Sequence, residues 1–197
     1  MLNIRKLVFA TNNPHKIEEV KQILGNSIEV ISVSELGFTD DIPEDYETLE
    51  ENASQKAWYI FNRFGLPCIA DDTGLEVEAL NGEPGVRSAR YAGNGRTAAD
   101  NITKLLEKLK REANRKARFR TVVSLVDKGQ EFRFEGIVNG TIVDELMGSS
   151  GFGYDPIFIP DGHKQTFAQM PSDLKNSISH RGRAIEKLSK FLFEEKV

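Results

Sequence analysis

The chain has 197 residues, of which 39% are hydrophobic and 28% charged, and it carries a formal net charge of -4. This composition excludes a fibrous, disordered or disulfide-rich chain, and the length favours one compact domain over residues 1–197 or two lobes that share a core. The net negative charge provides no overall positive field for nucleic acid, so a polyanionic ligand requires a local cluster of cations.

The chain opens with a predicted strand, loop and helix. Residues 6–10 form a short apolar run, Pro14 favours the first turn of a helix, and Gly25 favours its end. The apolar residues between them recur at helical spacing: Ile17, Val20, Ile23 and Leu24. A second strand at 28–31 completes a β-α-β unit, which predicts a parallel pair. The strand-like run at 4–10 is too short, and too soon followed by polar residues, for a signal peptide or membrane span, so we expect a cytoplasmic protein with no membrane partner.

The second quarter alternates helix, strand and turn signals. An acidic, loop-like segment at 34–48 precedes a helical pattern at 53–64, which ends at Gly65. Residues 68–70 indicate a strand that leads into a loop at 71–74, and 75–79 alternate as a half-exposed strand does. Asn81-Gly82 predicts a turn.

The second half predicts a capped helix, a β-rich region and a final helix. Thr97 with Asp100 is a capping pattern for a helix that ends near Leu109. Strands at 119–126, 131–138 and 141–143, with turns at Lys128-Gly129 and Asn139-Gly140, indicate an antiparallel meander. The glycine-rich segment 148–153 indicates a functional loop before a strand at 157–159. The final predicted helix has one apolar face, formed by Ile185, Leu188, Phe191 and Leu192.

The first candidate site is the segment from Thr11 through Asn12, Asn13, Pro14 and His15 to Lys16. Backbone N–H groups at a helix start, small polar side chains and one lysine suit a phosphate group. The segment is not a glycine-rich P-loop. The alternative is simple helix capping by Asn12 or Asn13, with Lys16 and His15 in solvent.

The second and third candidates are acidic. Asp71 and Asp72 follow a buried strand, where ligands collect in open α/β sheets, and only one of two consecutive carboxylates is expected to face a site. An acidic run that includes Glu44 precedes the second helix, and Mg²⁺ takes one or two carboxylates from a protein. The alternatives are a local turn for the aspartates and a solvated helix start for the acidic run.

A fourth candidate group lies late in the chain. It comprises Phe152, Gly153, Tyr154, Asp155, Lys175, His180 and Arg181. An aromatic ring stacks on a base, polar groups read its edge, and cations bind triphosphate oxygens. Taken singly, the aromatic residues are expected to pack in a core and the His-Arg pair to lie on the surface. Neither a zinc-type Cys/His cluster nor a nucleophile elbow is present.

These signals together resemble the inosine triphosphate pyrophosphatase family along nearly the whole chain. The segments that carry the resemblance are Thr11-Asn12-Asn13 with Lys16, Glu51-Asn52-Ala53 with Lys56-Ala57, Ala70-Asp71-Asp72-Thr73-Gly74-Leu75, Pro84-Gly85-Val86 with Ser88-Ala89-Arg90-Tyr91, residues 151–158, and Ser179-His180-Arg181-Gly182. The family often has Gly in place of Asn12 and Ser in place of Thr73.

The resemblance implies an α/β fold with an elongated central mixed β-sheet flanked by helices, two lobes with a nucleotide cleft between them, and a homodimer. It implies that residues 11–16 hold phosphates, that Glu44 and Asp72 hold Mg²⁺, and that Asp72 accepts a proton from the attacking water. The nucleotide site is completed by Thr73, Phe152, Gly153, Tyr154, Asp155, Lys175, His180 and Arg181.

The activity implied is hydrolysis of non-standard purine nucleoside triphosphates (ITP, dITP, XTP) to monophosphate and pyrophosphate, with no nucleic-acid partner. Phe152 is expected to lie against the purine, and His180 or Arg181 to discriminate a 6-oxo from a 6-amino group. Two alternatives stay open. One is a pyrophosphatase for modified pyrimidines, and the other is a non-catalytic RNA-binding module that uses the basic stretch 108–120.

Overall fold

The computed structural model describes residues 6–95 and 97–194. The strands are β1 (Lys6–Phe9), β2 (Glu29–Ser32), β3 (Cys68–Val77), β4 (Pro84–Gly85), β5 (Lys116–Asp127), β6 (Gln130–Ile142) and β7 (Phe158–Pro160). The α-helices are α1 (Pro14–Leu24), α2 (Leu49–Phe64), α3 (Ala98–Leu109), α4 (Ser172–Ile178) and α5 (His180–Glu194). Within these residues no helix is both long and apolar enough to cross a membrane.

The described strands form a mixed sheet in the order β2-β1-β3-β5-β6-β7, with β4 paired to β3 outside this path. β1 pairs in parallel with β2, as the β-α-β opening predicts, and it also pairs in parallel with β3. β4 pairs antiparallel with β3, and β7 antiparallel with β6. A mixed sheet with flanking helices confirms the predicted α/β class.

The chain divides into two compact units, each built from separate segments. Unit 1 comprises Met1–Asp72, Thr121–Gly136 and Arg181–Val197, and unit 2 comprises Thr73–Arg120 and Ile137–His180. The single domain over 1–197, the elongated sheet and the nucleotide cleft between lobes stay predictions.

In unit 1, alternate residues of the buried strands contact different helices. Leu7 and Phe9 of β1 belong to a core cluster with apolar residues of α1 and α5. Val8 of β1 belongs to a second cluster with Ala57 and Ile60 of α2. Because successive strand side chains point to opposite faces, the sheet has α1 and α5 on one face and α2 on the other.

In unit 2, one cluster joins β3, β5 and β7 to α3. Leu75, Phe119 and Phe158 pack with Leu105 of α3. The rings of Phe119 and Phe158 are 4.7 Å apart between centroids in an edge-to-face arrangement, which aromatic pairs favour. The apolar spacing that predicts α3 therefore corresponds to its core face.

The predicted helix ends are confirmed at three helices. The Asn13 side chain caps α1, and Gly65 ends α2 in the left-handed conformation. Thr97 and Asp100 form a reciprocal capping box at the start of α3. These local signals are reliable because they satisfy backbone groups that have no partner inside the helix.

Two predicted irregular segments are wrong, because β3 runs unbroken through 71–74 and β6 runs unbroken through Asn139-Gly140. Gly74 and Gly140 each allow a neighbouring strand to approach closely, and neither forms a turn. A Cβ on Gly74 would lie 2.6 Å from the Gly85 carbonyl oxygen, and a Cβ on Gly140 would collide with the Ile159 carbonyl of β7. The strand predicted at 157–159 is displaced by one residue, since Ile157 ends a 3-10 turn.

Candidate functional site

Asp71 in unit 1 lies at the centre of a buried ion-pair network. Its Oδ1 accepts a hydrogen bond from Lys16 Nζ at 2.9 Å, and its Oδ2 accepts from both Nε and Nη2 of Arg181 at 3.0 Å. Glu19 of α1 accepts from Nη1 of the same guanidinium at 2.5 Å. The side chains of Asp71 and Arg181 are each 1% exposed, so β3, α1 and α5 are joined by charges shielded from water.

Asp72 has a separate set of partners, as expected for consecutive strand residues. Its Oδ2 accepts from Asn52 Nδ2 at 3.1 Å, and its Oδ1 lies 3.9 Å from Lys56 Nζ. Lys56 also donates to Glu44, whose side chain is 35% exposed. The ammonium of Lys56 thus lies between the two carboxylates that the sequence predicts as metal ligands.

Helix α2 supplies Asn52 and Lys56 one turn apart on the same flank. Asn52 also bonds both the N–H and the carbonyl of Tyr46, at 2.9 and 3.1 Å, and so fixes the acidic segment that carries Glu44. The bonds of Asn52 explain why a polar residue is buried there. Asn52 and Lys56 lie in segments that carry the family resemblance, but neither is among the predicted site residues. Their signal was a pair of polar residues one turn apart, beside the apolar face of a helix.

The segment 11–16 combines capping with a connection to the network. Asn13 Oδ1 accepts from the backbone N–H of His15 at 3.0 Å and of Lys16 at 3.3 Å. Thr11 Oγ1 accepts from the Asn13 N–H, and Asn12 donates to the Asp40 carbonyl. Capping by Asn13 is therefore confirmed, and Pro14 and His15 are exposed. A solvated Lys16 is wrong, since its side chain is 15% exposed and paired with Asp71.

The two aspartates differ in acidity for physical reasons. Burial by itself would raise the pKa of Asp71, but Lys16 and Arg181 hold that pKa well below its ordinary value. Burial raises the pKa of Asp72, and the Glu44 charge adds to the rise, although Lys56 opposes it. Asp71 is thus a fixed anion, and Asp72 is a more basic carboxylate suited to accept a proton.

The lysines in unit 1 respond to the same charges. Burial lowers the pKa of Lys16, and this effect outweighs the attraction of Asp71. Burial also acts on Lys56, but Asp72 and Glu44 outweigh it and raise the Lys56 pKa. Two carboxylates therefore compete for one ammonium, an arrangement that a further cation relieves.

The name acid-base cluster is used below for Lys16, Glu19, Glu44, Lys56, Asp71, Asp72 and Arg181. Four carboxylates and three cations leave it with one net negative charge. Among the residues that the structure describes, no three His, Cys, Asp or Glu side chains converge on a metal position. The Glu44 and Asp72 pair still fits Mg²⁺, which often takes two protein carboxylates and completes its shell with water and phosphate.

Unit 2 holds the aromatic part of the candidate site. Asp155 Oδ2 accepts from the Phe152 N–H at 2.8 Å and from Lys175 Nζ at 2.7 Å. Lys175 lies 5.0 Å from the centre of the half-buried Phe152 ring, a cation-π distance. A Cβ on Gly151 would collide with the Asp155 carboxylate. The Asp155 carboxylate therefore connects the backbone of Phe152, in the segment predicted as a functional loop, to the Lys175 side chain.

The remaining predicted residues of unit 2 differ in their surroundings. Tyr154 is 4% exposed and donates its hydroxyl to the Ser88 carbonyl at 2.9 Å, so it is held in the core. His180 is stacked on Phe119 at 4.5 Å between ring centroids. The alternative of a surface His180-Arg181 pair is wrong, because the two residues are 4% and 1% exposed. Thr73 is half-buried on β3, and Gly153 has positive φ.

Three cations of the basic stretch at 108–120 are paired with carboxylates of unit 2. Lys108 pairs with Glu83 at 2.6 Å, Arg118 pairs with Glu76 at 2.6 Å, and Arg115 pairs with Asp144. Each pairing lies within unit 2 and neutralises a cation that phosphate would need.

Known proteins match this chain over nearly its whole length. The model of the Ham1 family matches residues 7–191. A dITP/XTP pyrophosphatase of Porphyromonas gingivalis is 53% identical over 190 residues, which covers 96% of this chain and 98% of the relative. One of Flavobacterium johnsoniae is 49% identical over 183 residues, or 93% and 95% of the two chains.

Solved structures agree with the sequence relatives. The Ham1 protein of Staphylococcus aureus superimposes with a TM-score of 0.87 at 44% identity, over 97% of this chain and 100% of that one. A HAM1 protein of Coxiella burnetii superimposes with a TM-score of 0.88 at 40% identity, over the same shares. On fold, length and identity alike, the chain belongs to the Ham1 family.

Proposed function

We propose that this protein hydrolyses non-standard purine nucleoside triphosphates (ITP, dITP and XTP) to the monophosphate and pyrophosphate, and so cleanses the nucleotide pool. The relatives named dITP/XTP pyrophosphatase support this activity, since their identity extends over nearly the full chain. The resemblance carried by the sequence motifs implies the same activity.

The observation that carries the chemistry is the charge of the acid-base cluster. Its one net negative charge disfavours a bare triphosphate, although three cations lie within it. A divalent cation held by the cluster would reverse that sign and supply positive charge for the phosphate oxygens. We therefore propose Mg²⁺ as the cofactor, held by Glu44 and Asp72. When bound, Mg²⁺ spreads the negative charge that develops on the phosphate oxygens.

The proposed reaction is a single displacement at the α-phosphorus. A water oxygen forms a bond to that phosphorus, and the bond from the phosphorus to the α,β-bridging oxygen breaks. The water gives one proton to the Asp72 carboxylate, and pyrophosphate leaves with the bridging oxygen. Lys56 favours the ionised form of Asp72 beforehand, and residues 11–16 with Lys16 hold phosphate oxygens. No covalent intermediate is required.

The group around Phe152 in unit 2 is proposed to bind the purine. Phe152 offers a ring for stacking, and Lys175 with Asp155 beside it offers a donor and an acceptor for the base edge. Thr73, Gly153, His180 and Arg181 complete the proposed nucleotide contacts. A homodimer, a cytoplasmic location and the absence of nucleic-acid partners are part of the same proposal.

The test is pyrophosphate release from dITP, XTP, ATP, GTP and a modified pyrimidine triphosphate, with and without Mg²⁺. We expect fast, metal-dependent turnover of dITP and XTP alone. Equal turnover of all five would remove the base selectivity, and preference for the pyrimidine would favour the alternative pyrophosphatase. Absence of turnover with every substrate would refute the proposed activity.

A further inference from the structure

Glu131 of β6 connects the sheet to α2 through both oxygens of one carboxylate. Its Oε2 accepts from Ser54 Oγ and Trp58 Nε1 of α2, each at 3.0 Å. Its Oε1 accepts from Ser124 Oγ of β5 at 3.0 Å and from Arg133 Nε at 2.7 Å. One oxygen therefore binds the helix and the other binds the sheet.

Four donors on a single carboxylate make this contact unusually well defined. The Glu131 side chain is 18% exposed. Burial by itself would raise its pKa, but Arg133, Trp58 and the two serines hold the pKa below the ordinary value. The carboxylate is therefore ionised at neutral pH, and its hydrogen bonds are charge-assisted and directional.

The position of these bonds on α2 gives them a consequence for the candidate site. Residues advance by about 100° each around an α-helix, so the Ser54 and Trp58 flank lies roughly 200° from the Asn52 and Lys56 flank. Between the flanks, Ala57 and Ile60 of α2 pack in an apolar cluster with Val8 of β1 and Ala70 of β3. Apolar packing is non-directional, whereas hydrogen bonds have a defined geometry, so the bonds at the two flanks add directional constraints on the rotation of α2.

We infer that Glu131 is a positioning residue, which fixes the rotation of α2 and so sets Asn52 and Lys56 against Asp72. The rotation is held at two flanks. Glu131 bonds one flank, and the 3.1 Å bond from Asn52 to Asp72 lies on the other. Glu131 acts on the proposed reaction through the helix without touching a reacting atom.

The experiment compares variants that remove one donor each from the same carboxylate. Ser54→Ala and Trp58→Phe remove the bonds from the helix. Ser124→Ala is the matched control, since it removes a hydroxyl bond of equal length from the sheet and leaves both helix bonds in place. Glu131→Gln removes the charge, and the single-donor variants keep the test valid if that protein does not fold.

The first readout is the side-chain amide signal of Asn52 in ¹⁵N–¹H spectra of the substrate-free protein. We expect it to shift and to exchange faster in Ser54→Ala and Trp58→Phe, and to stay unchanged in Ser124→Ala. The second readout rests on the proposed function. With dITP, kcat/KM is expected to fall on the order of tenfold in the helix variants, mostly through kcat, and by less than about twofold in the control.

The outcomes separate the two hypotheses. Equal changes in Ser54→Ala and Ser124→Ala, or an unchanged Asn52 amide in both helix variants, would overturn the positioning role. If the native protein releases no pyrophosphate, the proposed function fails, and the Asn52 signal still decides the role of Glu131.

Discussion

Asp71 and Asp72 are consecutive residues of β3, but their carboxylates have different neighbours and their pKa values shift in opposite directions. Asp71 holds two cations, and its pKa is lowered by Lys16 and Arg181 against the effect of burial. Asp72 is contacted by an amide and by a lysine that Glu44 shares, so burial dominates and its pKa is raised. The strand backbone sends the two side chains to different neighbours, and those neighbours set their chemistry.

Asp72→Asn tests the proton acceptor. The variant keeps the shape of the side chain but accepts no proton, so we expect kcat to fall about a thousandfold. Because the raised pKa means that ionised Asp72 opposes folding at neutral pH, the free energy of unfolding should be unchanged or higher. Pyrophosphate release and urea unfolding measure the two quantities. Substantial turnover in Asp72→Asn would exclude the assigned role.

Asp71→Asn should behave in the opposite way. The change leaves the buried Arg181 with one anion fewer, and we expect a loss of about 3 kcal/mol in unfolding free energy at neutral pH. The folded-state pKa of Asp71 lies below the ordinary 3.8, so its stabilisation is complete above pH 3.8 and is lost as pH falls through the folded value. Native protein should therefore lose stability more steeply than the variant below pH 3.8, as urea titrations across that range would measure. Parallel curves would contradict this account.

Phe152 and Tyr154 test base stacking against core packing. Phe152→Ala removes a half-buried ring, so we expect KM for dITP to rise roughly tenfold with little change in thermal stability. Tyr154→Phe removes a buried hydrogen bond to Ser88, so we expect a loss of about 1 kcal/mol in stability and an unchanged KM. Steady-state kinetics and thermal melts on both variants measure these effects. A KM change in Tyr154→Phe alone would reverse the two roles.

At the scale of elements, local sequence signals predict helices better than strand breaks. Caps and apolar spacing predict α1, α2, α3 and α5, because those signals act within a few residues. The predicted loop at 71–74 and the predicted turn at Asn139-Gly140 are wrong. Gly74 and Gly140 each lie against the backbone of another strand, a contact that a local sequence signal does not reveal. Asp72 and Lys175 are predicted as site residues from motifs, whereas the bonds of Asn52 to Asp72 and of Trp58 to Glu131 join residues that only the fold brings together.

Gly140→Ala tests this reading of the glycines. Its Cβ would collide with the Ile159 carbonyl and approach the Phe158 ring within 2.6 Å, so we expect a loss of about 3 kcal/mol in unfolding free energy. Gly129→Ala is the control, since Gly129 has positive φ and nothing within 4 Å, and we expect it to cost about 1 kcal/mol. Urea denaturation of both variants measures the difference. Equal losses would contradict the close-approach account of Gly140.

On the scale of the whole molecule, the net charges of the chain and of the acid-base cluster determine which ligands we expect to bind together. The chain is negative overall, and the acid-base cluster keeps one net negative charge. Each of its cations is already paired with a carboxylate, so a triphosphate gains little without another positive charge. In the proposed site, Mg²⁺ alone would have only the Glu44 and Asp72 carboxylates as protein ligands. Each ligand therefore supplies what the other lacks, which predicts positive coupling between them.

Thermal melts test this coupling. We expect Mg²⁺ alone and a non-hydrolysable α,β-imido analogue of dITP alone to shift Tm slightly. Together, at a hundredfold excess over Kd, they should add about 2.7 kcal/mol, or roughly 5–10 °C in Tm. Glu44→Gln neutralises the cluster and removes a proposed Mg²⁺ ligand, so the analogue alone should stabilise that variant more than the native protein, and the added effect of Mg²⁺ should shrink. Additive shifts in the native protein, or identical behaviour of Glu44→Gln, would show that the metal and the triphosphate bind independently.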